Sequence, residues 1–277
     1  MRAPAIAVPC SVWRQQGVVE GQRIIPEETA VALSYDGSTY AVMMATPHNL
    51  EDFALGFSIT EGVISSPADI RQLDIVEYDA GVEVRMWLAE PRARALSERR
   101  RHLAGPTGCG LCGIDSLSEA VRPAPRVADG ESFTPAEVMQ ALEALPPRQE
   151  LNRQTRAVHA AAFWQRGAGV TAVREDVGRH NALDKLAGVL ARQGAPGRGG
   201  MVLLTSRVSV EMVQKTAVIG APLLVAVSAP TALALRTADA AGITLVGIAR
   251  GDGFEIFTHP QRISKESVAK EPVAHVA

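Results

Sequence analysis

From about residue 157 the chain alternates strand and helix patterns, and this alternation restricts its fold more than any other feature. Strands are predicted at 157–164, 170–174, 201–205, 222–227 and 243–249, and helices at 182–192, 210–219 and 232–240. Elements that alternate over short connections form a sheet covered by helices. The strands around residues 203 and 225 are continuously apolar, as strands buried on both faces are. We therefore predict an α/β domain with a largely parallel sheet and an antiparallel edge strand at 254–257.

The first ninety residues predict a smaller unit of a different type. Two hairpins, one around Asp36-Gly37 and one around Asp79-Ala80-Gly81, flank a helix that Thr46 caps and that ends near Gly62. A capping box at 134–137 opens a further helix. The predicted division is an N-terminal α+β domain over 1–104, a CxxC loop with linking helices over 105–150, an α/β cofactor-binding domain over 151–264 and a tail over 265–277.

Composition excludes several classes of protein. The net charge of −2, from 28 basic and 30 acidic residues, supplies no global field that attracts nucleic acid or an anionic membrane. No apolar run reaches the roughly 18 residues that span a bilayer. The first nine residues lack the apolar core of a signal peptide, and three cysteines are too few for a disulfide framework. We expect a cytoplasmic protein that binds neither nucleic acid nor membrane.

Cys109 and Cys112, set among glycines, are the sharpest chemical feature. Two thiols separated by two residues can bind a metal, form a reversible disulfide or carry a persulfide. Structural zinc needs four ligands, but the chain has no second CxxC and no histidines at ligand spacing. A zinc deaminase needs a glutamate two residues after its histidine and a CxxC downstream, whereas His159 has neither. We therefore predict no permanent metal.

Two interpretations of the thiol pair stay open at this point. A thiol oxidoreductase is one, although a thioredoxin-like pair opens a helix within a βαβ unit. Sulfur transfer is the other, because neighbouring glycines give the close approach that a thiol needs to meet two partners in turn. The basic run at 99–102 would favour the thiolate, but such a run is more often a solvated helix face. Cys10 has no assigned role.

Three polar segments follow predicted strands, where α/β sheets bind ligands against helix N-termini. The candidate residues in them are Arg179, His180, Arg207, Ile248, Ala249, Arg250, Gly251, Asp252 and Gly253. Arg207 and Arg250 suit phosphate, and Asp252 suits a guanine edge. A well-capped helix after Asp176 and a plain turn at Asp252-Gly253 are the simpler explanations.

Four segments together resemble the FdhD family of formate dehydrogenase accessory sulfurtransferases. They are residues 108–113, the long motif 175–185, residues 206–215 and residues 249–252. The helix at 46–62 fits as well, so the resemblance covers nearly the whole chain. One departure is Thr205-Ser206-Arg207, where the family pattern has Ser-Gly-Arg; the arginine is kept.

The resemblance implies a three-layer, cytidine-deaminase-like C-terminal domain and a homodimer. It implies that a persulfide on Cys109, with Cys112 as second thiol, carries sulfur from a cysteine desulfurase to the bis(molybdopterin guanine dinucleotide) cofactor of a formate dehydrogenase catalytic subunit. Residues 248–253 would contact the guanine end of this bound substrate, and its phosphates would lie near Arg179, Arg207 and Arg250. The alternative is a chaperone that binds the molybdenum cofactor without covalent sulfur transfer.

Overall fold

The structure is a computed structural model that describes residues 2–94, 96, 122–195 and 197–264. The N-terminal part contains β1 (Ala5–Arg14), β2 (Gly17–Pro26), β3 (Thr29–Tyr35), β4 (Ser38–Ala45), α1 (Leu50–Thr60), β5 (Ile70–Tyr78) and β6 (Gly81–Leu88). The C-terminal part contains α2 (Pro135–Ala144), α3 (Glu150–Thr155), β7 (His159–Gln165), β8 (Gly169–Asp176), α4 (Arg179–Arg192), β9 (Gly200–Leu204), α5 (Val210–Ile219), β10 (Leu223–Ala226), α6 (Ala232–Ala241), β11 (Thr244–Arg250) and β12 (Gly253–Ile256). Among these residues, no helix has the length and apolarity needed to cross a bilayer.

The N-terminal sheet has the strand order β4-β3-β6-β5 and packs one face on α1. Both predicted hairpins are confirmed. Asp36 and Gly37 connect β3 to β4 with positive φ angles of 50° and 78°, which suit the twist of a hairpin. Alternate strand residues such as Leu33 and Val84 are fully buried against Phe53 of the helix. This apolar alternation forms the smaller core.

The prediction that Thr46 caps α1 was wrong. The helix begins at Leu50, after Asn49 in the left-handed conformation. The Thr46 amide instead donates to Asp176 Oδ2 at 3.0 Å, and its hydroxyl accepts from the Val177 amide at 3.1 Å. The Thr46 hydroxyl, which was expected to cap the helix, therefore bonds to the C-terminal part of the chain instead.

The β1–β2 ribbon was not predicted from the sequence. Its ten paired positions run from Ala5↔Pro26 to Arg14↔Gly17, so the connecting turn is Gln15-Gln16. That dipeptide is not one of the Asn, Asp or Gly pairs that mark tight turns. The β-branched residues on both sides of it were the signal available in the sequence.

The C-terminal sheet has the order β12-β11-β10-β9-β7-β8, and only β9 with β10 and β10 with β11 pair in parallel. The expected largely parallel sheet was therefore wrong for β7 and β8, which pair antiparallel. Gly167 and Gly169, both with positive φ, reverse the chain between these strands. A parallel pair would need a crossover of a dozen residues or more. The antiparallel edge strand β12 is confirmed.

Helices cover both faces of this sheet and make the predicted three layers. On one face, α4, α5 and α6 bury a core that includes Leu183, Val213 and Ala234 with Val202 and Leu224 of the strands. On the other face, α2 packs a second core against the alternate strand residues. The predicted α/β class with a smaller N-terminal α+β unit is confirmed. The predicted domain boundaries stay a prediction.

Candidate functional site

The carboxyl ends of four strands meet at one edge of the larger sheet. Because β7 runs antiparallel to both β8 and β9, the strands β8, β9, β10 and β11 all point the same way. The helices α4, α5 and α6 begin at this edge, and the first amides of a helix have no partner within the helix. All three polar segments from the sequence are therefore brought to one edge, which we call the ligand edge.

Strand order sets the spacing of the three segments along the ligand edge. Neighbouring strands lie about 4.8 Å apart, so the end of β9 lies about 10 Å from the end of β8 and about 10 Å from the end of β11. The whole edge from β8 to β11 is about 19 Å long. Arg179 and His180 lie at one end, Arg207 lies between, and Ile248 to Gly253 lie at the other end. This length suits an elongated ligand.

Asp176, Asn181 and Lys185 of the long motif at 175–185 contact one another and the N-terminal part of the chain, and do not face the ligand edge. Asp176 and Lys185 form an ion pair with 2.6 Å between Oδ2 and Nζ, and both side chains are 0% exposed. Lys185 Nζ also donates to the Thr46 carbonyl at 2.9 Å, and Asn181 donates to Asp176 and to the Met44 carbonyl. Burial lowers the pKa of Lys185, against the effect of Asp176. These residues join the two sheets; we call this region, between α1 and α4, the junction.

A second buried ion pair extends the junction towards α5. Lys215 Nζ lies 2.7 Å from Asp184 Oδ1, which also accepts from the Thr60 hydroxyl at 2.6 Å. Burial raises the pKa of Asp184, and Lys215 opposes that effect. Lys215 also lies 3.3 Å from Glu61. Charges from both parts of the chain are therefore neutralised in one contiguous network.

The helices α1 and α4 touch backbone to backbone at the junction. A Cβ added to Gly56 would lie 1.7 Å from the Asp184 carbonyl oxygen, and one added to Gly188 would lie 1.9 Å from the Asp52 carbonyl oxygen. Asn181, Asp184, Lys185 and Gly188 have the i, i+3, i+4, i+7 spacing of one helix face. That spacing was a sequence signal for this contact, and sequence reasoning missed it.

Arg179 and His180, on the first turn of α4, carry buried side-chain nitrogen atoms. Among the described residues, Arg179 Nε and His180 Nε2 are buried without a hydrogen-bond partner. The nearest carboxylate oxygen to His180 Nε2 is Glu211 Oε2, at 3.9 Å. Burial, helped by Arg179, lowers the pKa of His180 to about 4, and the same causes lower the pKa of His159. His180 is therefore neutral near pH 7, beside a fixed positive charge.

Only one residue of the middle segment is exposed. The Thr205 hydroxyl accepts from the Ala160 amide at 2.8 Å, which fixes the start of β7 beside the end of β9. Ser206 is buried, and its hydroxyl donates to the Arg207 carbonyl. Arg207 is exposed. Of the three, the structure leaves the Arg207 side chain to contact a ligand.

The third segment contains a strained backbone. Ile248 has a φ of +52°, which a β-branched residue rarely adopts, and it lies at a bulge in the pairing of β11 with β12. Such strain persists only where the surroundings impose it, and it concentrates at functional sites. Arg250, Gly251 and Asp252 are exposed, and Gly253, half-buried, begins β12. Ala249 is buried in the core, so its backbone alone can face a ligand.

The predicted thiols Cys109 and Cys112 lie outside the described residues. The described chain resumes at Arg122, whose guanidinium donates to the Thr60 carbonyl at 3.0 Å and whose carbonyl accepts from Gln214 at 2.8 Å. Arg122 also lies 3.6 Å from Glu61. Sequence reasoning missed this anchor, which ties the residue ten positions after Cys112 to the junction.

The fold and the ligand edge define a class: a three-layer α/β protein with donor-rich segments at the carboxyl ends of its strands, joined to an N-terminal unit with a mixed four-stranded sheet. The sequence model of the FdhD/NarQ family matches residues 26–264. The chain therefore belongs to the FdhD/NarQ family.

Curated relatives and a solved structure agree with this assignment. The chain is 55% identical over 244 residues to a protein of Agrobacterium fabrum named sulfur carrier protein FdhD, covering 88% of this chain and 90% of that one. It is 49% identical over 258 residues to the protein of the same name from Cupriavidus necator, covering 93% and 89%. A crystal structure from Desulfotalea psychrophila, provisionally named a formate dehydrogenase accessory protein, superposes with a TM-score of 0.76 at 26% identity and covers 95% of this chain and 100% of that one.

Proposed function

We propose that this chain is a sulfurtransferase that carries sulfur as a persulfide on Cys109 and delivers it to a bound bis(molybdopterin guanine dinucleotide) cofactor. The observation that carries the proposal is the close relationship to proteins named sulfur carrier protein FdhD. The name given to the solved neighbour supports formate dehydrogenase as the enzyme served. A cysteine desulfurase as donor, the formate dehydrogenase catalytic subunit as recipient, a homodimer and a cytoplasmic location are parts of the same proposal.

The ligand edge fits an anionic, nucleotide-linked substrate. Among the described residues, Arg179 Nε and His180 Nε2 are buried without a hydrogen-bond partner. Arg179 Nε donates, and His180 Nε2 donates when it carries the proton of the neutral ring, so both favour a ligand that brings acceptor oxygens. Arg207 and Arg250 add a positive charge to each of the other segments. Phosphates bind well where such donors adjoin helix N-termini. In this arrangement Arg179, His180 and Arg207 hold phosphates, and Asp252 accepts from a guanine at the strained end of the edge.

The chain length allows Cys109 and Cys112 to reach the edge. Arg122 lies ten positions after Cys112, and extended chain spans at most about 3.6 Å per position, or about 36 Å in all. Arg122 binds Glu61 and Gln214 beside the network of Lys215. Both Glu61 and Lys215 lie near enough to His180 to affect its pKa. The anchor thus lies close to the Arg179 end of the ligand edge.

The proposed chemistry has two transfers. The Cys109 thiolate attacks the outer sulfur of the desulfurase persulfide; a new S–S bond forms, the old one breaks, and the desulfurase thiolate leaves. In the second transfer the Cys112 thiolate attacks the inner sulfur of the Cys109 persulfide. A Cys109–Cys112 disulfide forms and hydrosulfide is released to the metal of the bound substrate. A cellular thiol then reduces the disulfide.

Intact mass after incubation with cysteine and a cysteine desulfurase tests the proposal. We expect the protein to gain one sulfur atom, lost again on treatment with a reducing thiol. Cys109→Ala should gain none, and Cys10→Ala is the matched control that should still gain one. Normal sulfur uptake by Cys109→Ala would overturn the assignment.

Activation of formate dehydrogenase separates the alternatives. A chaperone that binds the cofactor without sulfur chemistry uses the same ligand edge and would still activate the enzyme after both Cys109 and Cys112 are replaced by Ala. A thiol oxidoreductase would need both thiols but would not accumulate persulfide. We expect the double variant to fail in activation and to keep its affinity for guanosine diphosphate.

A further inference from the structure

The β1–β2 ribbon carries most of the exposed large apolar side chains of the described chain. Of the eleven large apolar side chains that are exposed in the described chain, six lie on the ribbon: Ile6, Val12, Trp13, Val18, Val19 and Ile24. Trp13 is 74% exposed. A two-stranded ribbon is marginally stable in water, and exposed apolar clusters mark interaction surfaces. Among the described residues, nothing covers these six side chains, although Arg23 of β2 donates to the Thr155 carbonyl at 3.3 Å.

Proline positions show which backbone groups of the ribbon point outward. Pro9 pairs with Gln22, and Pro26 pairs with Ala5. Proline has no N–H, so both pairs are of the non-hydrogen-bonded type. Hydrogen-bonded and non-hydrogen-bonded pairs alternate along an antiparallel ribbon. The N–H and C=O groups of Val18, Glu20, Gln22 and Ile24 therefore point away from β1.

The two edges of the ribbon differ in their capacity to pair. On the β1 edge, Pro9 occupies an outward position without an N–H, which interrupts any added strand. On the β2 edge, the outward positions 18, 20, 22 and 24 carry an N–H, and only Pro26 at the end of the strand lacks one. Residues 17–24 are exposed throughout. The β2 edge is thus the one able to accept another strand.

The sequence of β2 is complementary to its own antiparallel copy. With Gly21 on a twofold axis, Val18 lies opposite Ile24 of the other copy, and Glu20 lies opposite Gln22. All four outward residues then pair with one another. An axis at residue 20 would place Glu20 against itself, and one at residue 22 would place Val18 against Pro26. An axis that falls between two residues would place each residue whose N–H and C=O point outward opposite a residue whose groups point towards β1 of its own ribbon.

The register about Gly21 also aligns apolar side chains across four strands. Trp13 and Val18 share one face of the ribbon. In the paired arrangement Ile24 and Ala7 of the other copy continue that row. Aromatic and β-branched residues that lie side by side on one face stabilise a sheet. No like charges oppose each other, because Arg23 lies opposite Val19.

We propose that β2 pairs antiparallel with β2 of a second copy of this chain about Gly21, so that the two ribbons form one four-stranded sheet. The proposal takes from the proposed function only that the protein is a homodimer. Its test measures assembly and does not depend on sulfur transfer. Most of the ribbon lies before the residues that the family model matches. The surface is therefore assigned from the geometry of this chain.

A cysteine at the axis tests the register. The parent variant replaces Cys10, Cys109 and Cys112 by Ser. A Cβ at Gly21 meets only Val12 Cγ2 at 3.9 Å and the Cys10 carbonyl oxygen at 4.0 Å, so Gly21→Cys fits the ribbon. In the proposed pairing the two residues 21 have Cα atoms about 4.5 Å apart, within disulfide reach. Under mild oxidation we expect a disulfide-linked dimer.

Val19→Cys is the matched control. Residue 19 lies on the same face of the ribbon as residue 21. In the proposed register, however, the two copies of residue 19 are offset by roughly 13 Å along the strands, too far for a disulfide. A dimer linked at residue 19, or none at residue 21, would overturn the register whether or not the protein transfers sulfur.

Proline on either edge tests the surface itself. Gln22→Pro removes one outward N–H from the β2 edge, and Ala7→Pro removes one from the β1 edge; neither breaks a bond inside the ribbon. By sedimentation velocity at micromolar concentration, we expect wild type and Ala7→Pro to be dimers. Gln22→Pro should weaken dimerisation at least tenfold. A monomeric wild type, or a dimer that Gln22→Pro leaves unchanged, would contradict the proposal, as would a strand of another protein occupying β2.

Discussion

The junction and the ligand edge share the stretch 176–185, but its polar groups are paired at the junction and unpaired at the edge. At the junction, Asp176 and Lys185 are fully buried and each has several partners. At the ligand edge, Arg179 and His180 carry buried nitrogen atoms without an acceptor in the described structure. A buried polar group costs free energy unless it is paired. Unpaired donors at an edge therefore indicate a ligand, and paired ones indicate structure.

This contrast predicts that mutations in the two regions have different effects. Changes at the junction should lower the free energy of unfolding, whereas changes at the edge should lower affinity for guanine nucleotides and leave stability nearly unchanged.

Lys185→Met should have the largest effect. It leaves Asp176 as a buried carboxylate without its cation, and breaking a buried ion pair costs on the order of 4 kcal/mol of unfolding free energy. Urea denaturation at pH 7 measures this. Arg94→Met, which breaks the exposed ion pair with Glu90, is the control and should cost under about 1 kcal/mol. Equal losses in the two variants would refute the distinction.

Gly56→Ala should cost about 3 kcal/mol, because its new methyl group would lie 1.7 Å from the Asp184 carbonyl oxygen. The helices α1 and α4 would have to separate, and the ion pairs beside them would lengthen. Gly251→Ala, with nothing within 4 Å of the added Cβ, is the matched control and should barely change the melting temperature. If Gly56→Ala melts like wild type, the close helix contact is not rigid.

Arg179→Gln should lower the affinity for guanosine diphosphate about tenfold or more, since a hydrogen bond to a charged group is worth about 1.5–3 kcal/mol. Its melting temperature should stay close to that of wild type. Isothermal titration calorimetry measures the affinity, and Arg236→Gln, on the exposed side of α6, is the control. Unchanged binding by Arg179→Gln would remove this residue from the candidate site.

His180 should produce a small pH dependence of stability. Its pKa falls from 6.5 to about 4 on folding, so between these values the unfolded chain binds a proton that the folded chain does not. The free energy of unfolding should therefore decrease as pH drops from about 6.5 to about 4. His180→Gln should flatten this part of the curve. A profile identical to wild type would mean that His180 is not desolvated.

Local patterns accounted for much of the fold. The bounds of α5 agree with the sequence prediction because its apolar spacing is regular and Gly220 ends it. The ribbon was missed because Gln15-Gln16 is not a turn signal and its apolar residues are exposed. The expectation for Thr46 failed because a tertiary hydrogen bond outweighed a local capping preference. The strain at Ile248 has no local cause that the sequence could reveal.

The alternation of strands and helices and the family could both be inferred from the sequence, because both depend on residues close together in the chain. The sequence also placed three polar segments after strands. The folded chain was needed to show which side chains of residues 176–185 join the two sheets and which face a ligand. The physical reason is that neighbouring residues on a helix point in different directions, and their surroundings come from distant parts of the chain.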